Sequence, residues 1–385
     1  MKIFHISDLH IGRRLNGYSL FEDQEYILQK IIESIRREKP QAVLIAGDVY
    51  DKSAPTAEAV KLLDRFLDQL DDVTVMLISG NHDSADRLSF GAGRFRKSGL
   101  YIQGGFSGAP EAVPLTDEWG KVNFYLLPFT RIADINAFYH TDFTDYTEAF
   151  AFVIDKMAID PTVRNVLVAH QYVAGAEFSE SETVIGGVDC IAPDIFDVFD
   201  YTALGHIHRP QNVRGKRIRY CGTPMQYSYS EINQPKGYTM ITLGEKKQGE
   251  PLCQITAEAV TLKPRRELRE LKKSFDELMT ASCDENGIVS DDYLFIVLTD
   301  KVDVPDAISH LRNLYPNILS VRMERDASGD YSGAAFVGGG TDRDPQELFA
   351  EFYALQHNGE QMDELSAAIL QKAIDEIWRN DNETA

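Results

Sequence analysis

The chain has 385 residues, of which 43% are hydrophobic and 26% charged, and its formal net charge is −21. At about 150 residues per domain, this length predicts two or three domains, and the composition excludes an intrinsically disordered chain and a small disulfide-stapled scaffold. The acidic balance argues against a protein that holds nucleic acid through a broad basic surface.

The cysteines and the first residues indicate the compartment. The four cysteines show no CxxC spacing, so we expect neither a disulfide framework nor a thiolate zinc site, and a reducing cytoplasm fits best. The opening residues MKIFHISDLH do not resemble a signal peptide, and no run of about 18 apolar residues follows them. We therefore expect neither secretion nor a membrane span.

Over roughly the first 260 residues, short apolar runs alternate with helical patterns, which predicts a layered α/β fold. A helix is predicted over 21–38, where the apolar residues recur at helical spacing, and another over 56–70, with Thr56 as its N-cap. The predicted strands are 2–7, 42–46, 73–79, 122–127, 163–169 and 202–205.

Beyond about residue 260 the pattern changes and predicts a small second domain over 261–326. A basic patch opens this domain and precedes a helical pattern. The elements that follow are a strand at 293–299, a helix at 304–314 and a strand at 318–323. The Gly- and Ser-rich stretch 327–342 is predicted to be a flexible linker, and 343–385 carries two amphipathic helical patterns.

Residue types that bind metals follow several of the predicted strands. In open α/β sheets, ligands bind beyond the carboxyl ends of strands, so these side chains are expected to converge on one rim. The seven candidates are Asp8, His10, Asp48, Asn81, His170, His206 and His208. In the sequence GHIH, alternation along a strand predicts that His206 and His208 face the same side. These residues belong to five motifs: DxH at 8–10, GD at 47–48, GNHD at 80–83, the strand-end His170 and GHIH at 205–208. Each motif alone also fits a turn, a cap or a buried core histidine, but that explanation is improbable for all five in this order.

Carboxylate, amide and imidazole donors without thiolate suit Mn²⁺ or Fe²⁺ better than structural zinc. Seven side chains are too many for one tetrahedral ion, so the economical prediction is two cations that share one carboxylate, with Asp48 as the bridge. Such a pair activates water and neutralises phosphate, which predicts phosphate esters as substrates. Asp51 and Asp83 lie beside the cluster and are candidates to orient a histidine, although solvated loop residues are the alternative.

The order DxH, GD, GNHD, a strand-end histidine and GHxH resembles the calcineurin-like metallophosphoesterase family over about residues 1–230. Further stretches resemble its SbcD branch: ISDLHIG at 6–12, AGDVYD at 46–51, SGNHD at 79–83, ALGHIHRPQ at 203–211 and YCGTPMQYS at 220–228. The resemblance implies a four-layer β-sandwich flanked by helices over 1–260, a small α/β capping domain over 261–326 and a C-terminal helical pair.

The resemblance also implies a division of the ligands. One cation is held by Asp8, His10, Asp48 and His208, and the second by Asp48, Asn81, His170 and His206. His82 is implied to be the catalytic residue that faces the scissile phosphate without binding metal. The implied cofactors are two Mn²⁺ ions, with Fe²⁺ and Mg²⁺ as alternatives.

Members of the SbcD branch are DNA nucleases that cleave duplex ends as exonucleases and single strands or hairpins as endonucleases. By this resemblance the partners are DNA and the SbcC ATPase, whose coiled-coil root receives the helices at 343–385, and two copies of the chain form a homodimer within a heterotetramer. The basic patch supplies candidate contacts to DNA phosphates, with a solvated amphipathic helix as the alternative. These candidates are Lys263, Arg265, Arg266 and Arg269.

Two other functions remain open from the sequence. One is a phosphodiesterase that acts on small substrates with the same core. The other is a non-catalytic scaffold, against which the complete set of candidate ligands argues.

Overall fold

The structure, a computed structural model, describes residues 1–177, 190–302 and 304–324. The predicted linker 327–342 and the predicted helical segment 343–385 lie outside the described residues. Residues Met1–Met323 form one compact unit. Within the described part of the chain, no helix has both the length and the apolar character that a bilayer span needs.

The described strands and helices alternate along the first 170 residues, as the sequence pattern predicts. In chain order the strands are β1 (Lys2–Ile6), β2 (Arg14–Leu15), β3 (Tyr18–Ser19), β4 (Ala42–Ala46), β5 (Thr74–Ile78), β6 (Leu100–Gln103), β7 (Val113–Asp117), β8 (Gly120–Leu127), β9 (Arg164–His170), β10 (Tyr201–Gly205), β11 (Gln211–Arg214), β12 (Ile218–Tyr220), β13 (Gly237–Leu243), β14 (Ile255–Thr261), β15 (Leu268–Lys273), β16 (Tyr293–Leu298) and β17 (Ile318–Met323). The helices are α1 (Phe21–Glu38), α2 (Ala57–Asp68), α3 (Ala85–Leu88), α4 (Ala92–Phe95), α5 (Ile132–Tyr139), α6 (Tyr146–Asp155), α7 (Phe275–Met279) and α8 (Ala307–Leu311).

Two six-stranded sheets dominate the described residues. The first has the strand order β14-β13-β1-β4-β5-β6, and the second has the order β11-β12-β10-β9-β8-β7. The central strands β1, β4 and β5 are parallel to one another, as are β8, β9, β10 and β12, whereas β13, β14, β7 and β11 join antiparallel at the edges. Each sheet therefore directs several carboxyl strand ends to one edge.

The sheets pack face to face between two layers of helices. Leu44 of β4 and Val168 of β9 belong to the apolar core between the sheets. On the outer face of the first sheet, α1 and α2 bury residues such as Ile31 and Phe66. On the outer face of the second sheet, α6 buries Phe150. This helix–sheet–sheet–helix order confirms the four-layer α/β prediction.

Local sequence explains where the first two helices begin and end. The bounds of α1 are those that the helical spacing predicts, and its last residues lead into Lys39 in a left-handed conformation, with φ of 49°. Helix α2 begins after Thr56, whose hydroxyl oxygen accepts a hydrogen bond from the Ala59 backbone N–H at 3.2 Å, as predicted for an N-cap.

A small parallel sheet follows the two large ones, with the strand order β15-β16-β17 and helices α7 and α8. Its own core includes Leu294 and Leu311, and a second cluster that includes Leu268 and Tyr293 packs it against residues near α1, such as Leu20. The predicted helix at 304–314 is shorter than expected, because Asp306 adopts a left-handed φ of 52° and the helix begins only after it. The basic patch leads into strand β15 rather than lying on an amphipathic helix.

Candidate metal centre

The seven predicted ligands lie together where the two large sheets meet. Asp8 and His10 follow β1, Asp48 follows β4 and Asn81 follows β5, while His170 ends β9 and the two histidines of GHIH follow β10. Five of the seven are almost completely buried: Asp8, His10, Asp48, His170 and His208. The first sheet thus supplies four of the ligands and the second sheet supplies three.

Unusual backbone conformations turn these side chains into the site. Asp8, His10 and Asp48 have φ angles of 52°, 43° and 48°, and His206 has a φ of 102°. Each such residue costs about 1–3 kcal/mol, and strain of this kind concentrates at functional sites. Backbone hydrogen bonds hold the two loops in register, from Asp8 N to Gly47 O at 3.0 Å and from His10 N to Asp48 O at 2.9 Å.

Two glycines allow the close approach of the strand ends. A Cβ atom on Gly80 would lie 2.0 Å from the Asp48 Oδ1 atom, and one on Gly205 would lie 1.9 Å from the Ala46 carbonyl oxygen. Both contacts are far shorter than real Cβ contacts, so no side chain fits at either position. The glycines of the GNHD and GHIH motifs are therefore required by the packing of the site.

The first group of ligands surrounds His10. Its Nε2 atom lies 3.1 Å from His208 Nε2 and 3.7 Å from Asp48 Oδ2. Asp8 presents a carboxylate oxygen to the same position, and the ligand atoms of Asp8, His10 and His208 all lie within 4.8 Å of one another.

The second group surrounds Asn81. Its Oδ1 atom lies 3.1 Å from His170 Nε2 and 3.0 Å from His206 Nδ1. His170 Nε2 is also 3.5 Å from Asp48 Oδ2, so the Asp48 carboxylate faces both groups. Asp8 also lies within 4.8 Å of ligand atoms in both groups, so both carboxylates lie between the two sets of histidines.

The prediction that strand alternation aligns the two GHIH histidines is wrong. Strand β10 ends at Gly205, so His206 and His208 lie in the loop that follows and not on a strand. Their rings diverge, because His206 approaches Asn81 whereas His208 approaches His10. The loop, rather than strand alternation, distributes one histidine to each group.

The nitrogen atoms of two histidines indicate that this cluster is built to hold cations. His208 Nδ1 lies 3.2 Å from the Glu231 carboxylate, which only accepts hydrogen bonds, so the proton of the neutral ring is on Nδ1 and the lone pair of Nε2 points at His10. The buried His10 Nδ1 atom has no hydrogen-bond partner and lies 3.8 Å from Asp51 Oδ1. If His10 and His208 held a cation through their Nε2 atoms, the His10 proton would be on Nδ1, where it would face that carboxylate.

Burial and neighbouring charges shift the pKa values of the predicted ligands in both directions. Burial lowers the pKa of His10 well below its usual value and, together with the charge on His170, lowers the pKa of His206 to about 3. Burial raises the pKa of the Asp8 carboxyl to about 6 against the effect of His170 and His208. Burial also opposes charge on His170, but the Asp48 carboxylate outweighs it and raises the pKa of this imidazole to about 9.

His82 lies at the edge of the cluster, where one of its ring nitrogen atoms lies within 4.8 Å of ligand atoms of His10 and Asp51. Its backbone N–H donates to Asp48 Oδ1 at 2.9 Å, and its Nδ1 lies 2.9 Å from the backbone carbonyl oxygen of Asp51. Because a carbonyl oxygen only accepts, Nδ1 carries a proton and Nε2 remains for chemistry.

The two acidic residues beside the cluster differ in what they contact. Asp51 pairs with Arg13 at 2.9 Å, and its carboxylate faces His10, so its prediction as an orienting residue stays open. Asp83 does not orient a histidine. Its carboxylate accepts hydrogen bonds from the backbone N–H groups of Val49, Tyr50 and Gly80 at 2.9–3.0 Å, and it thereby joins the loops after β4 and β5.

The arginines of the basic patch are already paired with acidic groups. Arg266 contacts Asp23 at 2.8 Å and Asp291 at 2.9 Å, and Arg265 and Arg269 pair with Glu22 and Asp292 at 2.8 and 2.7 Å. The contact with the buried Asp23 carboxylate disfavours Arg266 as a DNA contact, whereas Arg265 and Arg269 are each 42% exposed and their role stays a prediction. Lys263 is exposed, and its role stays a prediction.

Sequence reasoning missed two buried residues beside the first group of ligands. Glu231 contacts the side chain of His208, and Lys236 pairs with Glu231 at 2.7 Å. No metal-ligand spacing marks either residue, since both lie downstream in a loop region that follows the YCGTPMQYS stretch. The available signal was that these two are the only charged residues between Arg219 and Glu245 in the sequence.

Residues 1–210 match the calcineurin-like phosphoesterase family, and residues 264–357 match a family described as the type 5 capsule protein repressor C-terminal domain. The chain is 36% identical over 329 residues to the SbcD subunit of the nuclease SbcCD from Staphylococcus saprophyticus, an alignment that covers 83% of this chain and 84% of that protein.

Similar solved structures are more distant in sequence. A dimetal phosphatase from Danio rerio is 14% identical, with a TM-score of 0.38 over 63% of this chain and 92% of that one. The phosphoesterase Yfce from E. coli is also 14% identical, with a TM-score of 0.26 over 68% of this chain and 100% of that one. The family match over more than half of the sequence and the identity to the staphylococcal protein show that this chain belongs to the calcineurin-like phosphoesterase family, in its SbcD branch.

Proposed function

We propose that this chain is the nuclease subunit of an SbcCD-type complex and hydrolyses DNA phosphodiester bonds with two divalent cations. The observation that carries the proposal is the cluster of seven ligands, with Asp48 facing both groups, in a chain 36% identical to the SbcD subunit of a nuclease SbcCD. Exonuclease action on duplex ends and endonuclease action on single strands or hairpins belong to the same proposal.

The ligand division supports two distinct cation positions. Asp8, His10, Asp48 and His208 would hold the first cation, and Asp48, Asn81, His170 and His206 the second. Bound at these positions, the cations would neutralise the phosphate group and lower the pKa of the attacking water. Oxygen and imidazole donors without thiolate favour Mn²⁺, with Fe²⁺ and Mg²⁺ as the alternatives.

The side chain of His82 acts on the leaving group in this proposal. The Nδ1–H group donates a hydrogen bond to the Asp51 carbonyl oxygen, which fixes the orientation of the ring. The Nε2 atom is then available to donate a proton to the leaving oxygen. The backbone N–H of His82 also ties the residue to the bridging carboxylate of Asp48. In this proposal His82 contributes a proton carrier and is not a metal ligand.

The wider organisation of the chain is also proposed. Residues 1–260 form the nuclease domain, residues 261–326 the DNA-capping domain and residues 327–342 a linker, and the segment 343–385 binds the coiled-coil root of the SbcC ATPase. The ion pair of Arg266 with Asp23 holds the start of β15 against α1, which suits a capping domain seated on the nuclease core. We expect the complex to act in the cytoplasm, where the four free cysteines stay reduced.

We also propose that two copies form a homodimer within the complex. A candidate contact surface lies beside α2, where Val60, Phe90 and Phe95 are 44%, 85% and 41% exposed around a cavity of about 610 Å³. Exposed apolar side chains grouped in this way are typical of protein interfaces. Light scattering of Phe90→Ser should then show a smaller mass than the unsubstituted chain.

A comparison of substrates tests the proposed activity. With Mn²⁺ present, the chain should cleave hairpin or duplex DNA, and a chelator should abolish the cleavage. Turnover of a cyclic nucleotide, measured in parallel, tests the alternative function, a phosphodiesterase that acts on small substrates. A preference for the cyclic nucleotide by orders of magnitude would overturn the nuclease proposal.

A further inference from the structure

We propose that Glu231 and Lys236 are positioning residues that hold His208 in the tautomer and orientation needed for the first cation. This inference rests on the two-cation function proposed above. The structure places the Glu231 Oε1 atom 3.2 Å from His208 Nδ1, and the Lys236 Nζ atom 2.7 Å from Glu231 Oε2. Neither residue belongs to the seven ligands.

The Glu231 carboxylate is fully buried and surrounded by donors. Beyond His208 and Lys236, it accepts hydrogen bonds from Ser228 Oγ at 2.9 Å, Thr223 Oγ1 at 3.3 Å and the Tyr227 backbone N–H at 3.3 Å. A buried charge is stable only when it is paired and hydrogen-bonded in this way. These hydrogen bonds fix the position of the Glu231 carboxylate. The carboxylate in turn fixes the orientation of the His208 ring.

The carboxylate also decides which nitrogen of His208 carries the proton. Because a carboxylate only accepts hydrogen bonds, the neutral ring donates from Nδ1 and presents the lone pair of Nε2 to the first cation position, 3.1 Å from His10 Nε2. Carboxylate partners of this kind raise the basicity of a metal-binding histidine and fix its orientation.

Lys236 acts on both the charge and the backbone. Only 5% of Lys236 is exposed, and its Nζ donates to the backbone carbonyl oxygen of His208 at 2.7 Å as well as to Glu231. The ammonium group balances the charge of the buried Glu231 carboxylate. Glu231 therefore holds the ring of His208, and Lys236 holds its main chain.

Asp200 offers a matched control. Its carboxylate is likewise fully buried and lies 3.6 Å from a lysine, Lys246, but it precedes β10, at the strand end away from the ligands, and accepts from the backbone N–H groups of Asn165 and Cys253. An Asp200→Asn variant therefore removes a comparable buried charge without contact to any ligand.

The test titrates the metal-free full-length chain with Mn²⁺ alone by calorimetry. Glu231→Gln should weaken the first Mn²⁺ site by about 10–100-fold and leave the second unchanged. Asp200→Asn should leave both sites unchanged. An unaltered first site in Glu231→Gln would overturn the inference, whereas failure of the unsubstituted chain to bind two Mn²⁺ ions would instead overturn the proposed function.

The double variant Glu231→Gln with Lys236→Met separates positioning from charge balance. In Glu231→Gln, the buried Lys236 ammonium group loses the carboxylate that balances its charge, and thermal stability should fall. Removing both charges in the double variant should restore that stability, while first-site Mn²⁺ affinity stays weak. Full recovery of that affinity would contradict a positioning role. Nitrogen-15 spectra of histidine in the unsubstituted metal-free chain give a check that needs no variant, since a neutral His208 ring with its proton on Nε2 instead of Nδ1 would refute the inference.

Discussion

The His82 imidazole has one nitrogen committed to the Asp51 carbonyl oxygen and one directed to the site. Replacement by glutamine keeps a side-chain amide that can donate to the carbonyl oxygen but removes the proton carrier. We expect His82→Gln to lower kcat for DNA cleavage by about 10²–10⁴-fold. Mn²⁺ affinity and thermal stability, measured on the same preparation, should be unchanged. Full activity in this variant would refute the role given to His82.

Protons compete with cations for the buried ligands, so Mn²⁺ affinity should depend on pH. Burial raises the pKa of Asp8 to about 6, and the Asp48 carboxylate, outweighing burial, raises the pKa of His170 to about 9. Both groups must lose a proton to bind a cation, so affinity should rise as the pH increases from 5 to 8.

Calorimetry in buffers of different ionisation enthalpy measures this effect, because the protons released on binding appear in the heat. The release should be largest below pH 6, where Asp8 and His170 are both protonated in the metal-free chain. Affinity that is constant between pH 5 and 8, with no proton release, would contradict the assigned ligands.

Among single residues, those in recognisable motifs could be predicted and those outside them could not. Residue type and position at strand ends selected seven side chains that the structure places together, because the parallel strands bring those ends to one edge; that they bind metal stays a prediction. Glu231 escaped prediction because its role depends on a loop conformation that no spacing encodes. Asp83 was assigned the wrong partner, since sequence does not distinguish a carboxylate that binds backbone N–H groups from one that orients a histidine.

At the scale of elements, Arg266 joins the small sheet to the nuclease core. Its guanidinium group contacts the nearly inaccessible Asp23 carboxylate, which also accepts from the Tyr293 hydroxyl at 2.8 Å. Arg266→Met leaves that buried charge without its cation and should destabilise the chain by about 2–3 kcal/mol.

Arg265→Met is the matched control for this substitution. Arg265 pairs with the exposed Glu22 carboxylate, and exposed pairs contribute about 0–1 kcal/mol. Chemical denaturation of both variants gives the comparison. Equal losses in the two variants would show that the buried contact to Asp23 does not anchor the small sheet.

Helices with a clear apolar spacing and strands with long apolar runs were predicted nearly to the residue, as α1 and β4 show. Strand β15 was not predicted. Its sequence LRELKK has few apolar residues and places the charged Glu270 and Lys272 on an exposed face, so it resembles part of a basic patch. Helix α8 was predicted too long, since the left-handed conformation of Asp306 is a feature of the backbone that residue type alone does not reveal.

For the whole molecule, the net charge of −21 opposes binding to a polyanion. DNA must then be held by a few local cations and by bound metal, and such contacts weaken as counterions compete. We expect DNA cleavage by the isolated chain to fall steeply from about 50 to 200 mM salt. Addition of the SbcC ATPase should reduce this sensitivity. DNA affinity of the isolated chain that is unchanged over this range would contradict the electrostatic explanation.

The four-layer order was implied by the resemblance and is confirmed, whereas the way the sheets meet could not be predicted. Each sheet contributes only part of the ligand set, so the site exists only because Gly205 lets the end of β10 approach β4. The contact joins Ala46 and Gly205, which are 159 positions apart in the sequence. No local sequence pattern specifies a contact over that separation.

Anomalous diffraction from a crystal soaked in Mn²⁺ tests most directly whether the two sheets together form a dinuclear centre. Two peaks should appear about 3.5–4 Å apart, with the Asp48 carboxylate between them, His10 and His208 on one and His170 and His206 on the other. A single peak, or none within reach of these side chains, would contradict the proposed centre.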